Sequence, residues 1–257
     1  MDLKKSTITL TFGDCAENHV GMEQLGRRAS PGQGFTCEEL LALRDKLEST
    51  GIKCEYTSLN NTPDLPPAGV LVIRDGVNKL LGRSDGADAL FAEQAALPVD
   101  RQAFMYGRVV NKHARWNLCF DSFDQDPDYA TGKGRIIRID SLPLTNALYT
   151  AMPTTFGPKA ADLKIEGNYY YDTSKCGIGY HGDSERRKVI GVRIGVSMPL
   201  YYQWYHDGLP IGDRIMFTFN HGDIYIMSEK AVGTDWKSRT IPTLRHAAGS
   251  PKYTTIS

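Results

Sequence analysis

The chain has no net charge, no paired cysteines, no long apolar run and no internal repeat, and each absence removes a class of protein. Its 30 Lys and Arg residues cancel 30 Asp and Glu residues, so no global field draws in a polyanion and any contact with nucleic acid has to be local. Five cysteines (Cys15, Cys37, Cys54, Cys119 and Cys176) are scattered and never spaced as CxxC. That pattern speaks against a disulfide framework and against a structural zinc site. No apolar stretch reaches the roughly 18 residues that span a bilayer, and the opening MDLKKSTITLTF lacks the features of a secretory signal. A cytoplasmic protein with reduced, mostly buried thiols is expected.

What is there suits a globular protein with a substantial core: 257 residues, 41% of them apolar and 10% aromatic. Up to about residue 100 the pattern alternates strand and helix. Thr7 to Phe12 reads as a strand, and Thr36 with Glu39 forms a capping box for a helix carrying Leu40, Leu43 and Leu47. Lys53 to Leu59 and Val70 to Arg74 read as strands, Asn60 to Gly69 as a Pro-rich connector or lid, and Ala87 to Leu97 as a helix. Beyond residue 100 short strands dominate, with a helical interval from Leu142 to Leu163. The expected strands are Asn168 to Asp172, Gly177 to Tyr180, Val189 to Ser197, Leu200 to Tyr205, Arg214 to Phe219, Asp223 to Met227, Ile241 to His246 and Tyr253 to Ile256. The expected architecture is mixed α/β (α+β): a small N-terminal α/β region over 1–100, then a double-stranded β-helix, or jelly roll, over 101–257.

The densest chemistry lies in Asn168 to Asp183, NYYYDTSKCGIGYHGD. Side chains at i and i+2 of an extended segment point to one side, so His181 and Asp183 can close on one ion. With a distant His they form the 2-His-1-carboxylate set of non-haem Fe(II) oxygenases. A second triplet, His221-Gly222-Asp223, competes for that role. About five expected strands separate Asp183 from His246, whereas only about two separate Asp223 from it, so the first triplet is the better ligand pair and the second reads as a turn. His206, His221 and His246 are the downstream candidates for the third ligand, and His246, on a late strand, is favoured.

The segment resembles the AlkB-like branch of the Fe(II)/2-oxoglutarate dioxygenases, whose members carry an Asn, a Tyr two residues on, and then an apolar residue before HxDxE. Asn168, Tyr170, Ile178, His181, Asp183 and Glu185 occur in that order, and HGDIYIMS (His221 to Ser228) is similar to a later strand of the family. The resemblance covers roughly residues 105 to 257. It implies Fe(II), 2-oxoglutarate and O2 as cofactor and co-substrates, with His181, Asp183 and His246 as metal ligands and Asn168 and Tyr170 on 2-oxoglutarate. The family's distal His follows a Trp-Lys pair, whereas here Trp236-Lys237 precedes Ser238. A cation is needed for the far carboxylate of the co-substrate. Lys252 on the last strand is the first choice and Arg245 the rival, with Arg239 and Arg245 resembling the family's RxNxTxR. Arg245 and His246 are neighbours and face opposite ways on a regular strand.

The implied activity is hydroxylation of an alkyl C–H, with a nucleobase of DNA or RNA as the leading substrate. In that case Arg115, Trp116, Tyr129 and Glu185 would contact the base, and Lys133, Arg135, Arg186, Arg187 and Lys188 would meet phosphates. The tyrosines Tyr169, Tyr170, Tyr171, Tyr180, Tyr201 and Tyr202, with Trp204, would offer a wall for a flat substrate. The same chemistry on a small molecule or protein side chain, and a β-sandwich binding module without iron chemistry, are the alternatives.

Overall fold

Thr7 to Gly13 alternates hydroxyl and apolar side chains, and in the folded protein the alternation becomes the two faces of one buried strand. The computed structural model describes residues 1–60, 62 and 64–256. Of the Asn60 to Gly69 connector, Asn61 and Pro63 therefore lie outside the described residues. The strands are β1 (Thr7–Gly13), β2 (Cys15–Glu17), β3 (Gln24–Gly26), β4 (Cys54–Ser58), β5 (Gly69–Ile73), β6 (Gln102–Met105), β7 (Arg108–Asn111) and β8 (Trp116–Asp121). They continue with β9 (Ile136–Arg138), β10 (Lys164–Tyr170), β11 (Gly177–His181), β12 (Val189–Gly195), β13 (Leu200–His206), β14 (Leu209–Phe217), β15 (Asp223–Met227) and β16 (Thr243–Gly249). The helices are α1 (Cys37–Ser49), α2 (Gly76–Leu81), α3 (Gly86–Ala95), α4 (Pro143–Phe156), α5 (Glu229–Val232) and α6 (Pro251–Thr254).

The fold is mixed α/β. Eight strands form one sheet in the order β4-β5-β15-β12-β1-β10-β8-β9, antiparallel except for the parallel β8–β9 pair. Four more form an antiparallel sheet, β11-β16-β13-β14, and β2–β3 and β6–β7 are separate hairpins. Strand β1 lies between β12 and β10, and β4 and β5 form one end of the same sheet. The change of texture near residue 100 thus runs through one sheet instead of between two.

Both faces of the large sheet are covered. Ile8, Leu10 and Phe12 of β1 are fully buried in a core with Leu40 of α1, Leu90 of α3 and Leu148 of α4. The opposite face carries Val72, Tyr170, Val189, Tyr225 and Met227, which pack with Leu200, Tyr202, Trp204 and Leu244 of the small sheet. The molecule therefore has a helical layer, a large sheet and a small sheet, and the threonines of β1 face the space between the sheets. The capping box that starts α1 is present, with Thr36 accepting from the Glu39 N–H and Glu39 from the Thr36 N–H. Among the described residues no helix is long and apolar enough to cross a membrane.

The C-terminus departs from the expected strand over Tyr253 to Ile256. Pro251 has a fixed φ and no N–H, both suited to a first helical position, and the backbone turns into α6 there. Strands β6 to β9, between residues 102 and 138, have no counterpart among the expected elements.

Leu10 sits at the centre of the helix-facing core with no exposed surface. Leu10→Ala is expected to lower unfolding stability by about 3 kcal/mol in a urea titration, and a loss below about 1 kcal/mol would show that this face is loosely packed.

Candidate metal centre

Strand pairing brings the two histidines together. His181 ends β11 directly opposite His246 of β16, after a register shift between Ile178 and His181. Asp183 follows on a turn fixed by its own N–H, which donates to the Val232 carbonyl at 3.0 Å. Gly182 is required between them: a Cβ there would lie 2.0 Å from the Gly233 carbonyl oxygen. The outcome is a convergent donor set. Asp183 Oδ1 is 3.4 Å from His181 Nε2 and 3.5 Å from His246 Nε2, and the three donor atoms lie within 4.8 Å of one another, as a single ion requires.

The surroundings favour the metal-binding forms. His181 Nδ1 lies 2.8 Å from the Gly179 carbonyl oxygen, so it carries the proton and leaves the Nε2 lone pair for the ion. Burial, with the neighbouring His181, pushes the His246 imidazole below its usual pKa and keeps it neutral. Burial alone would raise the Asp183 carboxyl, but Arg186 and the two imidazoles outweigh it and hold the group well below the usual carboxylate range. Arg186 is itself 3% exposed. Its Nε is 3.5 Å from Asp183 Oδ2, and its Nη2 contacts Glu166 and, at 2.6 Å, Glu185. The guanidinium takes the side of Asp183 that faces away from the histidines and orients the carboxylate.

The triad borders a cavity of about 930 Å³ between the sheets. Asn168, Tyr170, Arg115 and Glu185 line it with the triad, so much of the motif that the sequence singled out is gathered at one place. The Asn168 amide is largely committed. Its Oδ1 accepts from Arg115 Nε at 2.6 Å and Asn117 Nδ2 at 2.9 Å, and its Nδ2 donates to Glu166. Tyr170 is 5% exposed and its hydroxyl has no hydrogen bond within the described residues.

Other expected residues lie elsewhere. Lys252 is exposed on α6, with its Nζ 5.5 Å from the Tyr253 ring, because the backbone forms a helix there and not the expected strand. Arg245 projects from the opposite side of β16 to His246, packed over Tyr205 at 4.0 Å and Trp236 at 5.3 Å. Arg239 pairs with exposed Asp207, and His206 is exposed at the end of β13. Trp116 is sandwiched between Tyr171 and Arg101, which leaves neither ring face open for a base. The Tyr129 hydroxyl donates to Asp100 at 2.7 Å. The tyrosine wall is divided by the strand period: Tyr169 points into the helical core and donates to Gln94, and only Tyr170 of that set lines the cavity. In the second triplet, Gly222 has φ +87°, Asp223 accepts from Arg74 and two backbone N–H groups, and His221 accepts from the Gly195 N–H.

The sequence reading missed Arg193. It stands on β12 opposite Thr9, 2% exposed, and lines the cavity. Nη1 donates to the Met198 carbonyl, the guanidinium lies 5.2 Å from the Phe219 ring, and Nε is buried without a hydrogen-bond partner among the described residues. The available signal was a lone cation inside the apolar run VIGVRIGV. A charge buried in a strand needs compensation from somewhere.

No protein-family model matches the sequence. It is 47% identical over 255 residues, 97% of its own length and 98% of the other, to the uncharacterized protein R156 of Acanthamoeba polyphaga mimivirus. The protein belongs to the same family as that viral protein.

Arg186→Gln is expected to weaken Mn(II) binding on the order of 10- to 100-fold, measured by titration on protein whose circular dichroism shows it folded. Unaltered affinity would mean that Asp183 is oriented without the guanidinium.

Proposed function

We propose that the protein is an Fe(II)/2-oxoglutarate-dependent dioxygenase of the AlkB-like kind that hydroxylates an alkyl C–H. The observation that carries this reading is the convergence of His181 Nε2, Asp183 Oδ1 and His246 Nε2 on the border of a cavity that also holds a buried guanidinium. Two neutral imidazoles and one carboxylate leave one side of an iron ion open, and that donor set suits Fe(II) better than a closed structural site. On this reading the two facing sheets are the halves of a double-stranded β-helix, and the setting is cytoplasmic, which suits five free cysteines.

Bound there, Fe(II) would supply oxygen activation coupled to decarboxylation of the oxo acid. One atom of O2 enters succinate as CO2 leaves, and the other enters the substrate as a hydroxyl. The protein's own groups hold and orient. His181 and His246 present neutral nitrogens, and Arg186 fixes the free oxygen of Asp183. Arg193, not Lys252 or Arg245, is the cation for the far carboxylate of 2-oxoglutarate, with the Tyr170 hydroxyl available as a second donor. A planar guanidinium suits that partner, and burial strengthens the pairing.

Nucleobase hydroxylation in DNA or RNA is one substrate reading. A specific observation favours the small-molecule alternative: three of the five cations expected to meet phosphates are already engaged. Arg135 pairs with Asp126 at 2.8 Å, Arg187 with Glu229 at 3.0 Å, and Arg186 is buried among carboxylates.

Oxygen-dependent conversion of 2-oxoglutarate to succinate by Fe(II)-loaded protein tests the activity, and no Fe(II)-dependent succinate under any substrate condition would sink it. Arg193→Met is expected to raise the KM for 2-oxoglutarate on the order of 10- to 100-fold with a smaller change in kcat. An unchanged KM would remove Arg193 from the co-substrate site.

A further inference from the structure

The cavity continues past the metal ligands toward the β2–β3 hairpin, and its outer half has a chemistry that the co-substrate reading leaves unused. Some of the charged groups there are already paired. Glu166 and Arg186 are closed on each other, and Glu185 gives one oxygen to Arg186. Glu17 and Arg115 keep groups open among the described residues. Glu17, half-buried at the end of β2, lines the cavity with a carboxylate that has neither a hydrogen bond nor an ion pair within the described residues. Arg115 uses Nε on Asn168 and has no partner for either terminal nitrogen among the described residues.

A half-buried carboxylate beside two others is costly to ionise. Burial first, then Glu185 and Glu166, push the Glu17 carboxyl up to about 7. A cation delivered from solution would relieve that cost. Arg115 has the opposite need, because its planar end is a fork shaped for a carboxylate. Glu17 and Arg115 thus put an unpaired carboxylate and an open guanidinium end in the same cavity, whose lining also includes Arg27, Arg28 and Lys237.

We propose that the substrate is a free amino acid, whose ammonium group meets Glu17 and whose carboxylate meets Arg115, with an alkyl C–H of its variable group carried toward the metal ligands. The proposal rests on the dioxygenase reading above and uses the same balance: the C–H becomes C–OH as 2-oxoglutarate and O2 become succinate and CO2. The rim residues Arg27, Arg28 and Lys237 would favour the approach of the carboxylate end.

The test measures succinate formed by Fe(II)-loaded protein with 2-oxoglutarate and ascorbate in the presence of the common free L-amino acids. Parallel arms use the corresponding decarboxylated amines, nucleoside monophosphates and single-stranded oligonucleotides. At least one free amino acid is expected to raise succinate formation while its decarboxylated amine does not. Glu17→Gln and Arg115→Met are each expected to lower kcat/KM for that amino acid on the order of 10- to 100-fold, with Arg115→Lys recovering only part of the loss. Calorimetry on Mn(II)-loaded protein with 2-oxoglutarate provides the same ranking without turnover. If Mn(II) and 2-oxoglutarate bind but no amino acid does, or only an oligonucleotide stimulates, the amino-acid assignment is overturned and the dioxygenase reading stands. If neither Mn(II) nor 2-oxoglutarate binds, both fall.

Discussion

A guanidinium withdrawn from water costs several kcal/mol unless charge and hydrogen bonds are returned to it, and Arg186 receives both from Glu166, Glu185 and Asp183. The cluster joins separate parts of the sequence. Glu166 comes from the large sheet, and Asp183 and Glu185 from the loop that leaves the small sheet. Asp14, just beyond β1, accepts the N–H groups of Arg187 and Lys188 and pins the far side of that loop. Removing any one carboxylate would leave the cation under-compensated, so the loop has little freedom to drift from the position at which Asp183 meets the two histidines.

The two sheets contribute differently to the cavity. The small sheet supplies the histidines as cross-strand partners, a geometry set by pairing and therefore rigid. The large sheet supplies a polar row that runs through Asn117, Asn168, Thr9 and Arg193 in register. Glycines make room where the layers approach. A Cβ on Gly191 would lie 2.0 Å from the Tyr225 ring, so the absence of one lets that ring lie across β12 beside the cavity.

Much of this is legible in the amino-acid sequence wherever the signal is local. The capping box of α1 needs only Thr36 and Glu39, and the strand period alone separates Arg245 from His246. The same period explains why Tyr169 and Tyr170 face different layers, although the run of tyrosines had suggested one wall. What escaped depends on pairing across long sequence separations. Arg193 becomes a cavity residue only because β12 lies beside β1, and Glu17 only because the β2–β3 hairpin folds over the metal loop's side of the cavity. The expected C-terminal strand gives way to a helix for a local reason, since Ser-Pro at 250–251 starts a helix as readily as it ends a strand.

The central claim is that one cavity holds a metal at its three ligands and an oxo acid between that metal and Arg193. A crystal structure of the protein grown anaerobically with Mn(II) and 2-oxoglutarate tests it most directly. The account predicts the ion on His181 Nε2, Asp183 Oδ1 and His246 Nε2 at about 2.0 to 2.3 Å, with the far carboxylate of the oxo acid on Arg193. An ion bound elsewhere, or a carboxylate seated on Arg245 or Lys252, would contradict it.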